Sequence, residues 1–440
     1  MKTLMLLISI AFMSFTATTN AASSYFIDQT KLPFTALPGA TAYWGVHTNA
    51  GYHIEVPDDW NGELVVWAHG FRGFGKTELT VDDHPMRHFL IAQGYAWAAS
   101  SYSRNDYDVT TGVQDTLALL KRFNGIAAKP DKIYMTGLSM GGHITAVIIE
   151  QFPKLFAGAM PICGAVGDYE TFDFVLDFNL AAQQLGTDTS IFPVEPFTYV
   201  TATVPSIKAN LESAPNTWPV GLNQQGENLK NLVMLHSGGD RPNFDSAWFF
   251  WNNFAEVESG TGPGNFLFDL GLSDGVMPRN PGNTAENIDV VYQFDTNPEL
   301  SPEEQAFNDS IFRVALAPQS KNPNGLSQVP VINGNLPIPV LTMHNIGDLF
   351  VPIKNEIAYA TKVKQQGKQD LLVTRAYRGV MHCDFTANEM VSSFLDLVDW
   401  VENGNKPAGD DFLDANNVAA DDFGCQFTYG NHPFDTACPG

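Results

Sequence analysis

At 440 residues, with 44% apolar and 16% charged residues, the chain is long enough for a large core and too apolar to be disordered. Its formal charge of −24 excludes nucleic acid and anionic membrane as natural partners, because both repel an acidic surface. The length suits one α/β core carrying one inserted domain.

The first 22 residues read as an export signal: Lys2 supplies the positive start, Leu4 to Phe15 the short apolar stretch, and Thr19-Asn20-Ala21-Ala22 the small residues for cleavage after Ala21 or Ala22. The apolar stretch is too short to span a bilayer comfortably. No later segment reaches the roughly 18 uninterrupted apolar residues a membrane helix needs. The expected location is therefore outside the cytoplasm, secreted or periplasmic, with no membrane span in the mature chain.

A hairpin is expected over Ala42 to Pro57, where AYWGV and YHIEV flank His47 to Gly51. Strands and helices then alternate. Glu63 to Gly70 reads as a buried strand, His84 to Gly94 as a helix, Tyr95 to Ser103 as a strand and Gly112 to Phe123 as a helix. Lys132 to Ser139, Gly141 to Phe152 and Ala157 to Gly164 continue as strand, helix and strand. This rhythm predicts right-handed βαβ units and a mainly parallel sheet covered on both faces, with a first core segment spanning 23–166. It breaks near Asp168. An inserted domain is expected over 167–330, containing the aromatic run Ser246 to Phe254 and a helix from Pro302 to Ala317. The aromatic segment Trp248-Phe249-Phe250-Trp251 could line an apolar pocket, but such stripes are more often core. The second core segment, 331–403, offers the strand Ile338 to Asn345, a helix from Ile353 to Gln366, the strand Leu371 to Gly379 and a helix from Asn388 to Val401. A polar, acidic tail of 404–440 ends the chain.

Within this frame Gly137-Leu138-Ser139-Met140-Gly141 matches GxSxG between a strand and an apolar helix. Glycines permit the tight turn that exposes Ser139, and the helix start favours developing negative charge. A serine hydroxyl needs a base and an orienting acid. His382, in the loop after the last core strand, and Asp348, directly after the strand Ile338 to Asn345, supply them in the chain order Ser, Asp, His. Asp240 stands in a similar local sequence but lies in the insertion. His53 and His88 sit in regular elements and read as structural, and His143 lies one turn beyond Ser139. The oxyanion donors expected are the N–H of Met140 and, in the loop His69-Gly70-Phe71, that of Phe71.

The segments WAHGFRG, TGLSMGG, HNIGDLFVP and GVMHCDF, in this order, resemble the α/β-hydrolase fold superfamily, of the secreted serine esterase type with a cap insertion. The resemblance implies that Ser139, Asp348 and His382 are nucleophile, acid and base, that Phe71 and Met140 form the oxyanion hole, and that the insertion is a cap. The His382-Cys383 pair is also similar to secreted tannase and feruloyl esterase proteins, although Leu138 stands where those carry a cysteine. The function expected is hydrolysis of small or polymeric carboxylic esters through an acyl-serine, without cofactor. The alternatives are a serine peptidase of the same fold and a non-catalytic binding protein on this scaffold.

Four cysteines, Cys163, Cys383, Cys425 and Cys438, form an even set without CxxC spacing, so disulfides are expected and a metal site is not. Cys163 ends a strand at the sheet edge that the His382 loop must reach, which favours Cys163 with Cys383 and leaves Cys425 with Cys438. The alternative is that Cys163 and Cys383 are both reduced, with Cys163 buried.

Overall fold

The computed structural model describes residues 24–73, 76–214, 217–256, 262–269, 283–317 and 329–439. The expected export signal lies outside them. β1 (Ala40–His47) and β2 (Ala50–Pro57) form the hairpin. Its turn is tighter than the sequence suggests: Thr48 and Asn49 alone connect the strands, with φ of 50° and 70°, the primed geometry that matches strand twist.

The alternation follows as β3 (Glu63–Ala68), α1 (Arg87–Ala92), β4 (Ala96–Ser100), α2 (Val109–Asn124), β5 (Lys132–Leu138), α3 (Met140–Gln151) and β6 (Gly158–Ile162). The chain then leaves the sheet for α4 (Glu170–Thr187), α5 (Val204–Leu211), α6 (Gln224–His236), α7 (Phe244–Asn253) and α8 (Pro302–Ser310). It returns with β7 (Val340–Asn345), α9 (Lys354–Gln365), β8 (Leu372–Tyr377) and α10 (Ala387–Asn403). Two expected helices are shorter than read. Before α1, the His84 ring accepts the Met86 N–H at 3.1 Å, and the helix starts only at Arg87. After α8, Ile311 turns extended (ψ 137°), and Val314 then exchanges hydrogen bonds with Asn287, its N–H donating to the Asn287 side chain at 2.6 Å.

The eight-stranded sheet has the order β1-β2-β4-β3-β5-β6-β7-β8. It is antiparallel through β1, β2 and β4, and parallel from β4 to β8. Side-chain alternation explains the two covered faces. Leu64 and Val66 of β3 pack with Val113 of α2 and Ile144 of α3, whereas Val65 and Trp67 pack with Leu90 of α1 and Phe394 of α10. The connection from β3 runs outward to β4 and that from β5 runs the other way to β6. The carboxyl ends of these neighbouring strands therefore border a topological switch point, where open α/β sheets hold their ligands.

The helices between β6 and β7 have an apolar cluster of their own, with Phe178, Ile207, Leu232, Trp248 and Trp251 buried in it. That cluster also takes in Leu349 and Val380, which belong to loops at the sheet edge. The tail lies against β8: the Thr374 hydroxyl donates to the Asp410 carbonyl at 2.7 Å, and the Arg375 guanidinium lies 4.1 Å from the Phe427 ring centre.

Candidate active site

Ser139 sits between β5 and α3 with φ 59° and ψ −119°, a conformation that side chains rarely adopt and that surrounding packing must enforce. Two glycines make it possible. A Cβ on Gly137 would overlap the carbonyl of Gly141, and one on Gly141 would overlap the carbonyl of Ala68 at the end of β3. The turn therefore packs directly against the neighbouring strand, and the serine is lifted onto the carboxyl edge of the sheet.

Asp348 follows β7 and is fully buried. Its Oδ1 accepts the N–H groups of Phe350 at 2.8 Å and Val351 at 3.0 Å, which leaves Oδ2 to meet His382 Nδ1 at 2.5 Å. His382 Nε2 lies 2.9 Å from Ser139 Oγ. The Phe350 ring meets the imidazole edge-on at 4.9 Å between centroids. With the carboxylate on Nδ1, that nitrogen carries the proton, and Nε2 is free to accept one from the serine.

Sheet order and the strained serine turn agree with the fold that the resemblance in the sequence implies. The chain has the α/β-hydrolase fold. No family model matches it. Over 61 residues it is 36% identical to poly(3-hydroxyalkanoate) depolymerase C of Paucimonas lemoignei, a match covering 13% of this chain and only 15% of that relative. It is 18% identical to o-phthalyl amidase of Xanthobacter agilis over 404 residues, covering 82% of this chain and 86% of the amidase. Among solved structures, feruloyl esterase B of Aspergillus oryzae aligns over 84% of this chain and 82% of its own, with 15% identity and a TM-score of 0.49.

Gly70 lies against the serine, since a Cβ on it would sit 3.1 Å from the Ser139 Cβ, so the loop carrying Phe71 borders Ser139. His69 is buried and stacks on Tyr102 at 4.0 Å, and burial lowers its pKa to about 4. The neutral ring sits with Nδ1 2.7 Å from the Gly70 carbonyl, on the peptide unit that also bears the Phe71 N–H. Met140 is the first residue of α3, where backbone N–H groups lack partners inside the helix. Asp240 is exposed, and the His382 ring pairs with Asp348 instead. His53 bonds Asp83 and the Leu32 carbonyl, His88 is exposed, and His143 bonds Tyr107 and the Pro330 carbonyl.

Cys163 and Cys383 form a disulfide with Cα atoms 5.3 Å apart, and Cys425 and Cys438 form another at 5.9 Å. The first ties the residue after His382 to the end of β6. Cys163, Cys383 and His382 are close enough to hold a metal ion, but the two sulfurs are bonded to each other and both ring nitrogens face protein partners. Among the described residues no helix is long and apolar enough to cross a membrane.

Several supporting residues carry no signal in the sequence. Asn345, the last residue of β7, donates to the Asp384 carbonyl and accepts the Asp384 N–H, both at 2.9 Å, pinning the chain just past His382. His344 is buried between Glu356 at 3.1 Å and the Val351 carbonyl at 2.6 Å. Burial alone lowers its pKa, but the Glu356 carboxylate outweighs this and holds the ring above the usual histidine value. An acceptor thus faces each ring nitrogen, and Val351, whose N–H serves Asp348, is held through its carbonyl on the next peptide unit. Arg241, wholly buried and pushed down to about 9 by burial, donates to the Ile346 carbonyl at 2.6 Å. The aromatic segment of α7 is core, with Trp248 and Trp251 both buried.

Proposed function

We propose that the protein is an exported serine hydrolase that cleaves carboxylic esters through an acyl-serine intermediate. The observation that carries this reading is the hydrogen-bonded line from Ser139 Oγ through His382 to Asp348, at 2.9 and 2.5 Å, at the sheet's switch point. His382 Nε2 takes the serine proton as Oγ attacks the ester carbonyl, and Asp348 stabilises the imidazolium that forms. The N–H groups of Met140 and Phe71 receive the oxyanion. Collapse expels the alcohol, which takes its proton from His382, and a water molecule repeats the sequence to free the acid and Ser139.

In this proposal residues 23–166 and 331–403 form the hydrolase core, 167–330 the cap, and 404–440 a tail stapled by its own disulfide. Export follows from the signal pattern of residues 1–22 and agrees with two disulfides, which persist in oxidising compartments. Amide hydrolysis by the same machinery is the second reading, favoured by the alignment with o-phthalyl amidase along 82% of the chain.

A fluorophosphonate probe tests the chemistry: it should label Ser139, and failure to label the folded protein would leave a non-catalytic binding role. A panel of p-nitrophenyl and hydroxycinnamoyl esters, polyesters, amides and peptides then separates ester from amide cleavage. Faster turnover of amides than of matched esters would replace the first reading by the second.

A further inference from the structure

The loops carrying Asp348 and His382 leave adjacent parallel strands, with Asn345 of β7 in register with Tyr377 of β8. The ladder runs on briefly beyond the strands. The Ile346 N–H donates to the Tyr377 carbonyl and the Gly347 N–H to the Gly379 carbonyl, both at 2.9 Å. The chains then part, so that each residue of interest can turn toward Ser139. Parting leaves the carbonyls of Gly347 and Val380 at the apolar cluster of the inserted segment, where an unpaired carbonyl is costly. One group meets both: the indole N–H of Trp251, on α7, donates to the Gly347 carbonyl at 3.1 Å and to the Val380 carbonyl at 2.8 Å. Gly347 immediately precedes Asp348, and Val380 lies two residues before His382.

We propose that Trp251 is a positioning residue of the hydrolase, its single N–H fixing the separation of the acid and base loops. This deepens the triad reading and rests on it. A donor shared by two carbonyls holds only while both stay within reach, so it opposes any slide of one loop past the other. The inserted segment is then a fixed brace at this point. A displacement of about 1 Å at reacting groups costs up to roughly a hundredfold in rate, so the geometry is worth holding.

The same helix supplies the control. Trp248, one turn earlier, is equally buried at 5% exposure against 4% for Trp251, yet its indole nitrogen has no hydrogen-bond partner. Trp251→Phe and Trp248→Phe therefore remove like volumes from one core, and only the first removes hydrogen bonds to the two loops. Should Trp251→Phe fail to fold, 3-benzothienylalanine introduced at position 251 keeps the shape of the indole without the N–H.

The expected result is a fall in kcat of about ten- to a hundredfold for both position-251 variants, with KM nearly unchanged. Trp248→Phe should keep the parental kcat. The far-downfield proton resonance of the His382–Asp348 hydrogen bond should shift in the position-251 variants alone. Parental kcat in the benzothienylalanine protein, or an equal loss of kcat in Trp248→Phe, would overturn the assignment. Labelling of Ser139 by fluorophosphonate in the parent separates this from the underlying reading. A labelled parent with an unaffected analogue sinks only the role of Trp251, and an unlabelled parent sinks the triad.

Discussion

Replacing Asp348 by Asn changes a single atom, and the surroundings dictate how the new side chain must sit. Oδ1 of Asp348 accepts two backbone N–H groups, from Phe350 and Val351, at 2.8 and 3.0 Å. Neither donor can be silenced, so the amide oxygen of Asn takes that place and its NH2 is turned to His382. The imidazole must then accept at Nδ1 and carry its proton on Nε2, pointing at Ser139 Oγ, where it cannot act as a base. In serine triads this inversion lowers kcat by about four orders of magnitude, or roughly 5 kcal/mol of barrier. The fold should persist, since the volume is unchanged and two of the three hydrogen bonds are kept. The assay is kcat for p-nitrophenyl acetate at neutral pH, with circular dichroism to confirm folding. A kcat within tenfold of the parent would refute the tautomer argument, and a large loss in Asp240→Asn beside an unaffected Asp348→Asn would transfer the role to Asp240.

Ser139→Ala should lower kcat by about a millionfold with little change in Tm, because Oγ contributes chemistry and almost no packing; turnover near the parental rate would remove Ser139 as nucleophile. Mild reduction should diminish activity before it unfolds the sheet, since opening Cys163–Cys383 first frees the loop bearing His382; simultaneous loss of activity and near-ultraviolet dichroism would contradict this. His432, held by Asp384 and Glu389, has its pKa raised to about 10, so the stability it contributes is complete below the ordinary histidine value and is lost as pH rises toward 10. His432→Gln should therefore lower Tm most near pH 6, with the difference fading in alkali; a deficit that stays constant with pH would mean that charge is not the cause.

How far the fold can be read from the sequence differs by region for physical reasons. The core segments announce themselves because each strand or helix buries one face with a fixed period, as β3 does in sending Leu64 and Val66 to one side and Val65 and Trp67 to the other. The candidate nucleophile is equally plain, since only glycine fits at position 137 against the Gly141 carbonyl and at position 141 against the β3 carbonyl of Ala68. Asp348 and His382 follow from strand order. The insertion is different. Its helices make irregular contacts with residues far along the chain, such as Trp251 with Val380 and Arg241 with Ile346, and no local period marks a residue whose partner is some hundred positions away. The overlong expectation for α8 fails similarly, because Ile311 and Val314 are apolar at helical spacing, yet Ile311 turns extended and Val314 pairs with Asn287.

The placement of these unforeseen contacts follows from where His382 sits. Ser139 is fixed by its own turn, wedged against β3, and Asp348 by two N–H groups of its own loop. His382 has no such local support. It lies beyond the last strand of the sheet, past the end of the β7–β8 ladder, and must reach back over β7 and β6 to meet Ser139. Everything that steadies it therefore comes from elsewhere in the chain. Trp251 of the insertion holds the Val380 carbonyl before it, the disulfide to Cys163 holds the residue after it, and Asn345 takes both backbone groups of Asp384. The tail adds His432, whose imidazolium bridges Asp384 and Glu389, the latter already closing the N-terminal cap of α10 through Thr386. Insertion, core and tail, three stretches distant in sequence, thus converge on residues 380–384. Loosening any one tether should cost activity in proportion to the freedom it gives His382, and stability only by the few hydrogen bonds it removes.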